Sequence, residues 1–262
     1  MCFYNGIVVS RAEHIKLLHL QKDISQFREQ LQRPLLSGFA YGNWPVLKPV
    51  DGGRNVELVF MHWELIPYYV RNATALEHFR HGGLNPATGK KDPPRNTLNA
   101  IGEEMLDKVS YKQAALHRRC LVLSSGFFEW RHFTPPGTKK DIAYPYHIRL
   151  KDREYFYMAG IWQPWTDQET GETLDSFAIV TTAANPLMAQ IHNRKKRMPL
   201  IFPDDMAYAW IQDGLSPAQI REMVQYQLPD AAFEVETIRK DFRQAEDPLE
   251  PETYAELPAL TR

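Results

Sequence analysis

Residues 120–130, CLVLSSGFFEW, carry the strongest strand signal in this chain. Three later stretches have the same character: 144–150 (YPYHIRL), 155–162 (YFYMAGIW) and 176–182 (SFAIVTT). All four are rich in aromatic and β-branched residues, and turn-forming residues separate them. Together they predict a mostly antiparallel sheet or an open barrel.

The first third of the chain adds further elements to this core. Residues 3–9 are extended in character, and 57–67 (ELVFMHWELIP) predict a strand that ends in a turn. Between them, the apolar residues Ile15, Leu18, Ile24, Phe27 and Leu31 recur near helical spacing. We therefore expect one or two helices before Pro34.

Two helix starts carry clear signals. Asn185 precedes Pro186, and Ser216 precedes Pro217 with Gln219 at the spacing of a capping box. Residues 81–96 hold three glycines and three prolines, which predict a long irregular loop. The expected fold class is α+β: one domain with a β-rich, barrel-like antiparallel core flanked by helices.

The 262 residues fit a single domain over residues 1–240, followed by an acidic, Pro-punctuated tail over 241–262. The net charge of −1 excludes a polycation that coats nucleic acid, so any DNA binding has to be local. Two cysteines make no disulfide framework and no zinc cluster, and we expect neither a metal nor a cofactor. Without an apolar run of about 18 residues, no membrane contact is expected, and we predict a cytoplasmic monomer.

The second residue is the first candidate for chemistry. Cys2 follows Met1 directly, and a small residue there permits removal of the initiator methionine. The exposed residue would then carry a thiol beside an α-amine whose pKa is about 7.7–8.0. Such a pair can capture an aldehyde, first as an imine and then as a thiazolidine ring. The alternative is a small apolar residue buried near a terminus.

Three further residues are candidates for acid/base or orienting roles. Glu129 lies within an aromatic strand, where alternation places it with Phe127 on one face and Phe128 with Trp130 on the other. A carboxyl group among aromatic rings has a raised pKa, which suits a proton shuttle, although a solvated outer face is the alternative. His192 follows a predicted helix, and Asn99 offers an amide to an amine or sugar oxygen, or else belongs to a turn.

Basic clusters are the candidates for phosphate contact. Arg194 to Arg197 form a run of four cations directly beyond His192, while Arg118 with Arg119 and Lys90 with Lys91 form pairs. Runs of this kind are more often solvated faces than binding sites. The position of Arg194 to Arg197 directly beyond His192 favours an anionic substrate.

Taken in order, these motifs resemble the SRAP family, the SOS response-associated peptidases or abasic-site processing proteins. The motifs that carry the resemblance are Met1-Cys2, Trp63 to Pro67, Asn99-Ala100, Arg118 to Val122, Gly126 to Trp130, Thr181 to Asn185, Ile191-His192 and Arg197 to Pro199. They span most of the chain, and their order and spacing are specific.

The resemblance implies a function and roles for residues. It makes Cys2 the residue that crosslinks to abasic sites in single-stranded DNA after self-removal of Met1. Asn99 and Glu129 are then its active-site partners, and His192 lies near the deoxyribose oxygen. For DNA contact we expect Arg118, Arg119, Trp63, Trp130, Arg194 and Arg197. The implied fold is a single α+β domain on a barrel-like core with a basic groove.

Four departures from the family pattern fall mainly on DNA-contacting positions. Tyr4 and Ile101 stand where the family commonly has arginines, and Glu64 replaces a glycine. Extra residues separate His192 from Arg197, so either Arg194 or Arg197 can correspond to the family's arginine. The reactive residues are unchanged, whereas the phosphate contacts differ.

Two other classes fit parts of the pattern. N-terminal-nucleophile hydrolases and glutamine amidotransferases also begin with a processed cysteine, whose α-amine acts as the base. They would release ammonia from glutamine. A non-catalytic nucleic-acid-binding protein would stack bases on Trp130 and Phe127 and would keep all its activity without Cys2.

Overall fold

A computed structural model describes residues 2–85 and 88–261. The strands are β1 (Tyr4–Val8), β2 (His14–Leu17), β3 (Leu20–Asp23), β4 (Gln32–Ser37), β5 (Asn43–Val50), β6 (Asn55–Trp63), β7 (Gly83–Leu84), β8 (Lys91–Asp92), β9 (Asn99–Ile101), β10 (Arg119–Ser124), β11 (Gly126–Phe133), β12 (Ile142–Leu150), β13 (Phe156–Thr166), β14 (Thr173–Ala183), β15 (Arg197–Pro199), β16 (Ile201–Phe202) and β17 (Phe233–Thr237). The α-helices are α1 (Ala73–His81), α2 (Lys112–His117), α3 (Pro186–Ile191), α4 (Asp204–Trp210) and α5 (Pro217–Met223).

The core is a closed barrel with a second sheet beside it. Strands β6, β5, β10, β13 and β14 pair in a ring, because β14 pairs both with β13 and, in parallel, with β6. The second sheet has the order β17-β12-β11-β1-β4, and all its pairs are antiparallel. One hydrophobic core joins both sheets. The predicted α+β class with a β-rich, barrel-like core is confirmed.

The stretch 120–130 contributes to both sheets. Strand β10 lies in the barrel and β11 in the second sheet, and the two are separated only by Ser125. Side chains alternate along β11: Phe127 packs in the main core, and Phe128 packs against Phe242 on the opposite face. The predicted alternation is therefore confirmed, and what the sequence shows as one run is two strands.

Both predicted helix caps are present. The Asn185 side chain accepts a hydrogen bond from the backbone N–H of Met188 at 2.8 Å, which starts α3. Ser216 and Gln219 form a full capping box at the start of α5. These caps are local, so a few neighbouring residues suffice to predict them.

The helices predicted over residues 15–31 are wrong. Residues 14–23 form the β2–β3 hairpin, in which Ile15, Leu17 and Leu20 are buried while Leu18 turns outward with a φ of 52°. Only a short 3-10 turn follows, at Ser25–Phe27. The apolar spacing in this segment fits both periods, and packing on the barrel decides for strands.

The predicted loop over 81–96 includes Pro86 and Ala87, which lie outside the described residues. On either side, β7 and β8 form a short hairpin, and α1 precedes it with Asn72 as its N-cap. The last residues run back across the second sheet, where Leu257 and Leu260 pack on the core. Every helix in 2–85 and 88–261 is too short or too polar to cross a bilayer.

Candidate active site

Cys2 lies two residues before the start of β1, and its side chain is fully buried. The Asn99 side-chain amide donates to the Cys2 carbonyl oxygen at 2.9 Å, and the Cys2 thiol lies 3.6 Å from the carbonyl oxygen of Tyr4. Strand β9 brings Asn99 here by pairing in parallel with β14, and the Tyr111 hydroxyl donates to the Asn99 carbonyl oxygen. The second residue is therefore held in place through its backbone carbonyl group.

Glu129 projects from β11 into the core, opposite Tyr146 on β12, and is 2% exposed. Burial raises the pKa of its carboxyl group to about 7, because an ionised carboxylate loses its hydration there. Burial, and then the negative charge of Glu129, raise the pKa of the Cys2 thiol. The thiol therefore needs a base before it can act as a thiolate.

His192 follows the last residue of α3 and lies beside Glu129, with 3.7 Å between Nε2 and the carboxylate Oε2. Its Nδ1 lies 2.8 Å from the carbonyl oxygen of Arg197, which can only accept, so Nδ1 carries the proton. The Nε2 lone pair then faces Glu129. Burial lowers the pKa of the imidazole to about 4, so His192 is neutral near pH 7.

Asn193 fixes the position of His192 relative to Glu129. Its side chain accepts from the backbone N–H of His132 at 3.0 Å and donates to the carbonyl oxygen of the same residue at 2.7 Å. His132 lies on β11, three residues beyond Glu129. A single amide thus ties the segment after α3 to the strand that carries the carboxyl group.

The two arginines beyond His192 have carboxylate partners. Arg197 makes a two-pronged ion pair with Glu103, at 2.9 and 2.6 Å, and donates to the carbonyl oxygen of Thr181 at 2.7 Å. Arg194 is 61% exposed and pairs with Asp141. Lys195 and Lys196 are exposed. A phosphate would have to compete with carboxylates for both arginines.

Two predicted DNA contacts are buried. Trp63 is fully buried, donates from Nε1 to the carbonyl oxygen of Leu98 and packs against Phe177. Arg119 is 4% exposed, and its guanidinium donates to four backbone carbonyl oxygens, those of Ala115, Leu116, Trp210 and Gln212. Both side chains stabilise the barrel and present no surface to a DNA strand.

The other two predicted contacts are half-buried. Arg118 donates from Nε to the carbonyl oxygen of Trp162 at 3.2 Å. Trp130 contacts the rings of Tyr4 and Phe242, with centroid separations of 5.2 and 6.0 Å. Trp130 follows Glu129 directly, so the two side chains lie on opposite faces of β11.

The departures from the family pattern have structural consequences. Glu64 is fully buried, and Arg80 donates to its Oε2 from Nε at 2.8 Å and from Nη2 at 2.6 Å. Ile101 lines a cleft of about 230 Å³ that also includes Asn99 and Tyr111. The first change adds an internal ion pair, and the second places an apolar side chain in the wall of the cleft.

Sequence reasoning assigned no role to Glu103 or Asn193. They lie close along the chain to the candidates Asn99 and His192, but their partners, Arg197 and His132, are 94 and 61 residues away. Among residues 2–85 and 88–261, no group of three or more His, Cys, Asp or Glu side chains is placed to hold a metal ion. The site therefore offers a thiol, an amide, a carboxyl group and an imidazole.

The family model for SOS response-associated peptidases (SRAP) matches residues 21–245. This chain belongs to the SRAP family. The abasic site processing protein YoqW of Bacillus subtilis is 28% identical over 193 residues, which cover 70% of this chain and 74% of YoqW. The abasic site processing protein HMCES of Gallus gallus is 32% identical over 142 residues, 48% of this chain and 41% of HMCES.

Solved structures share the fold of this chain. A crystal structure of a protein from Bacteroides thetaiotaomicron matches with a TM-score of 0.73 at 29% identity, covering 95% of this SRAP chain and 97% of that protein. A protein from Bordetella bronchiseptica matches with a TM-score of 0.65 at 18% identity, covering 91% and 100%, and supports the fold alone.

Proposed function

We propose that this protein processes abasic sites in DNA as part of the response to DNA damage, and that Cys2 does so by forming a covalent crosslink. The observation that carries the proposal is the arrangement around Cys2, whose carbonyl is held by Asn99 while Glu129 and His192 face each other at 3.7 Å. The named relatives are abasic site processing proteins, which supports the same substrate.

The reaction begins on the sugar. An abasic deoxyribose is mostly a closed hemiacetal, and opening it requires proton removal from the C1′ hydroxyl and proton delivery to the ring oxygen. The neutral imidazole of His192 accepts a proton at Nε2, the nitrogen that faces the site. Glu129, which is about half protonated at neutral pH, can return one.

Crosslinking then takes two steps. The α-amine of Cys2 attacks the aldehyde carbon, and the carbinolamine loses water to give an imine, for which protonated Glu129 supplies the proton to the departing hydroxyl. The Cys2 sulfur next adds to the imine carbon, its proton passes to the nitrogen, and a five-membered thiazolidine closes. The thiol proton has to be transferred during this addition, because burial keeps the thiol in its protonated form.

The chemistry requires a free α-amine, so we propose that Met1 is removed. Met1 lies outside the described residues. Intact-mass measurement of the purified protein should show a chain that begins at Cys2. A crosslinking protein that retains Met1 would exclude the thiazolidine mechanism, because its second residue would have no amine.

We further propose that the DNA is single-stranded and that the protein acts as a cytoplasmic monomer. Exposed aromatic side chains support a single strand, since unstacked bases pack on such rings without sequence preference. Phe39, Tyr68 and Tyr69 are 47%, 68% and 42% exposed. A fully paired duplex would keep its bases from these rings.

The deciding experiment compares two cysteine variants. Protein is incubated with a single-stranded oligonucleotide that carries one abasic site, and adducts that survive denaturation are counted. Cys2→Ala should abolish the stable adduct but leave an imine that borohydride traps, provided that the variant is also processed. Cys120→Ala is the matched control, because Cys120 is equally buried but lies in the barrel strand β10.

Three outcomes would count against the proposal. If the Cys2→Ala variant crosslinks at the full rate, an internal lysine and not Cys2 is the nucleophile. If an oligonucleotide without an abasic site gives the same amount of adduct, the abasic site is not the target. Ammonia release from glutamine that depends on Cys2 would indicate an amidotransferase instead.

A further inference from the structure

Tyr4 lies beside the reactive residue, where the SRAP pattern commonly has an arginine. Its carbonyl oxygen is 3.6 Å from the Cys2 sulfur, and its ring packs edge-on against Trp130 at 5.2 Å and Phe242 at 6.2 Å. Trp130 in turn follows Glu129 along β11. The two half-buried rings therefore form a continuous aromatic border beside the start of β1, on the face of β11 opposite the Glu129 carboxyl group.

An arginine from the far end of the chain reaches this border. Arg243 donates from Nη1 to the Tyr4 hydroxyl at 3.3 Å, and its Cζ lies 5.9 Å from the centre of the Tyr4 ring. The side chain is exposed. Positions 4 and 243 are 239 residues apart, so the approach depends on the path of the chain after β17 over the second sheet.

Arg243 differs from the other arginines near the site in its charge partners. Arg194 pairs with Asp141, and Arg197 pairs with Glu103. Within residues 2–85 and 88–261, Arg243 has only the neutral Tyr4 hydroxyl and ring as partners. Its guanidinium can therefore bind an anion without first losing a carboxylate.

We propose that Tyr4, Trp130 and Arg243 form a subsite for the DNA strand that flanks the abasic nucleotide. Arg243 binds a backbone phosphate, and the exposed parts of the Tyr4 and Trp130 rings support a neighbouring base. A guanidinium matches two phosphate oxygens, and an aromatic surface accepts any base. The inference rests on the proposed function, since it places the strand relative to Cys2.

The subsite accounts for the missing arginine at position 4. Position 4 supplies no cation in this chain, but Arg243 places one beside Tyr4, whose hydroxyl orients the guanidinium by accepting its hydrogen bond. If the two positions supply the same charge to the same phosphate, an arginine at position 4 should replace one at position 243. That exchange provides the test.

The experiment measures binding to an intact single-stranded oligonucleotide, so that it does not depend on crosslinking. Arg243→Gln should flatten the dependence of log K on log salt by about 0.7, the value for one phosphate contact on a single strand. Between 50 and 200 mM salt, the affinity of the variant should then fall about 2.6-fold less than that of the wild type. Thermal unfolding confirms that each variant is folded.

Two further variants make the test specific. Arg153→Gln removes the same charge from an arginine that pairs with Asp204 beyond β12, and it should leave the slope unchanged. The double variant Tyr4→Arg with Arg243→Gln should recover the wild-type slope. Tyr4→Phe keeps the ring but loses the hydroxyl, and it should weaken binding less than Arg243→Gln does.

The outcomes separate the two proposals. An unchanged slope in Arg243→Gln, an equal change in Arg153→Gln, or no recovery in the double variant would overturn the subsite. If the wild type binds the strand with this Arg243 dependence but never crosslinks to an abasic site, the subsite stands and the proposed crosslinking is wrong.

Discussion

Glu129→Gln is the most informative single change, because it removes an ionisable group while keeping the size of the side chain. Burial raises the pKa of this carboxyl group from 4.5 to about 7. At 1.36 kcal/mol per tenfold change in acidity, ionising it in the folded protein costs about 3 kcal/mol more than in the unfolded chain. The wild type bears this cost at every pH above 7.

The sign of the effect on stability follows from proton linkage. Between pH 4.5 and 7 the folded state binds more protons at Glu129 than the unfolded state does, so stability is lost as the pH rises through this range. Other groups titrate equally in the wild type and in the variant. We therefore expect Glu129→Gln to gain about 2.5 kcal/mol relative to the wild type as the pH rises from 5 to 8.

Urea unfolding of both proteins at pH 5 and pH 8 measures this difference. Fluorescence of the six tryptophans reports the transition. A gain close to zero would refute the reasoning, because it would mean that the carboxyl group ionises as easily in the folded protein as in water. A stabilised but slow variant would identify Glu129 as a residue retained for chemistry at the expense of stability.

The same substitution predicts a change in the pH profile of crosslinking. Imine formation needs a neutral amine and a protonated Glu129, so the rate should pass through a maximum near neutral pH. Glu129→Gln should be slower by on the order of 10²-fold and should lose the decline on the alkaline side of that maximum. If the variant keeps that decline, another group supplies the proton.

The remaining predictions concern three other positions. Asn99→Ala removes the donor to the Cys2 carbonyl oxygen, and it should lower the crosslinking rate of a protein that still binds intact single-stranded DNA, as gel assays of both activities can show. Arg119→Ala leaves four backbone carbonyl oxygens without their donor, so urea unfolding should show a loss of about 3 kcal/mol or more, with no change in the salt slope of DNA binding. The imidazole of His192, with a pKa lowered to about 4 by burial, should stay neutral down to pH 5 in NMR titration, whereas protonation near pH 6.5 would show that it is solvated.

Local patterns predicted what local forces control. The four aromatic and β-branched stretches became strands, and the caps at Asn185 and Ser216 start helices, because their partners lie within a few residues. Where two periods fitted equally, over residues 15–31, the sequence could not choose and the predicted helices were wrong. Burial against the barrel made that choice.

The residue types needed for abasic-site chemistry are a property of the sequence: Cys2, Asn99, Glu129 and His192 were all named from their motifs. Their tertiary arrangement sets the protonation of Glu129 and His192, since burial is the largest cause of both pKa shifts and moves them in opposite directions. The tertiary structure also decided which arginines are accessible to a DNA phosphate. Arg119 donates to backbone carbonyl oxygens inside the barrel, whereas Arg243 contacts Tyr4, which is 239 residues away along the chain. Sequence spacing does not encode contacts between residues so far apart, so only the fold determines them.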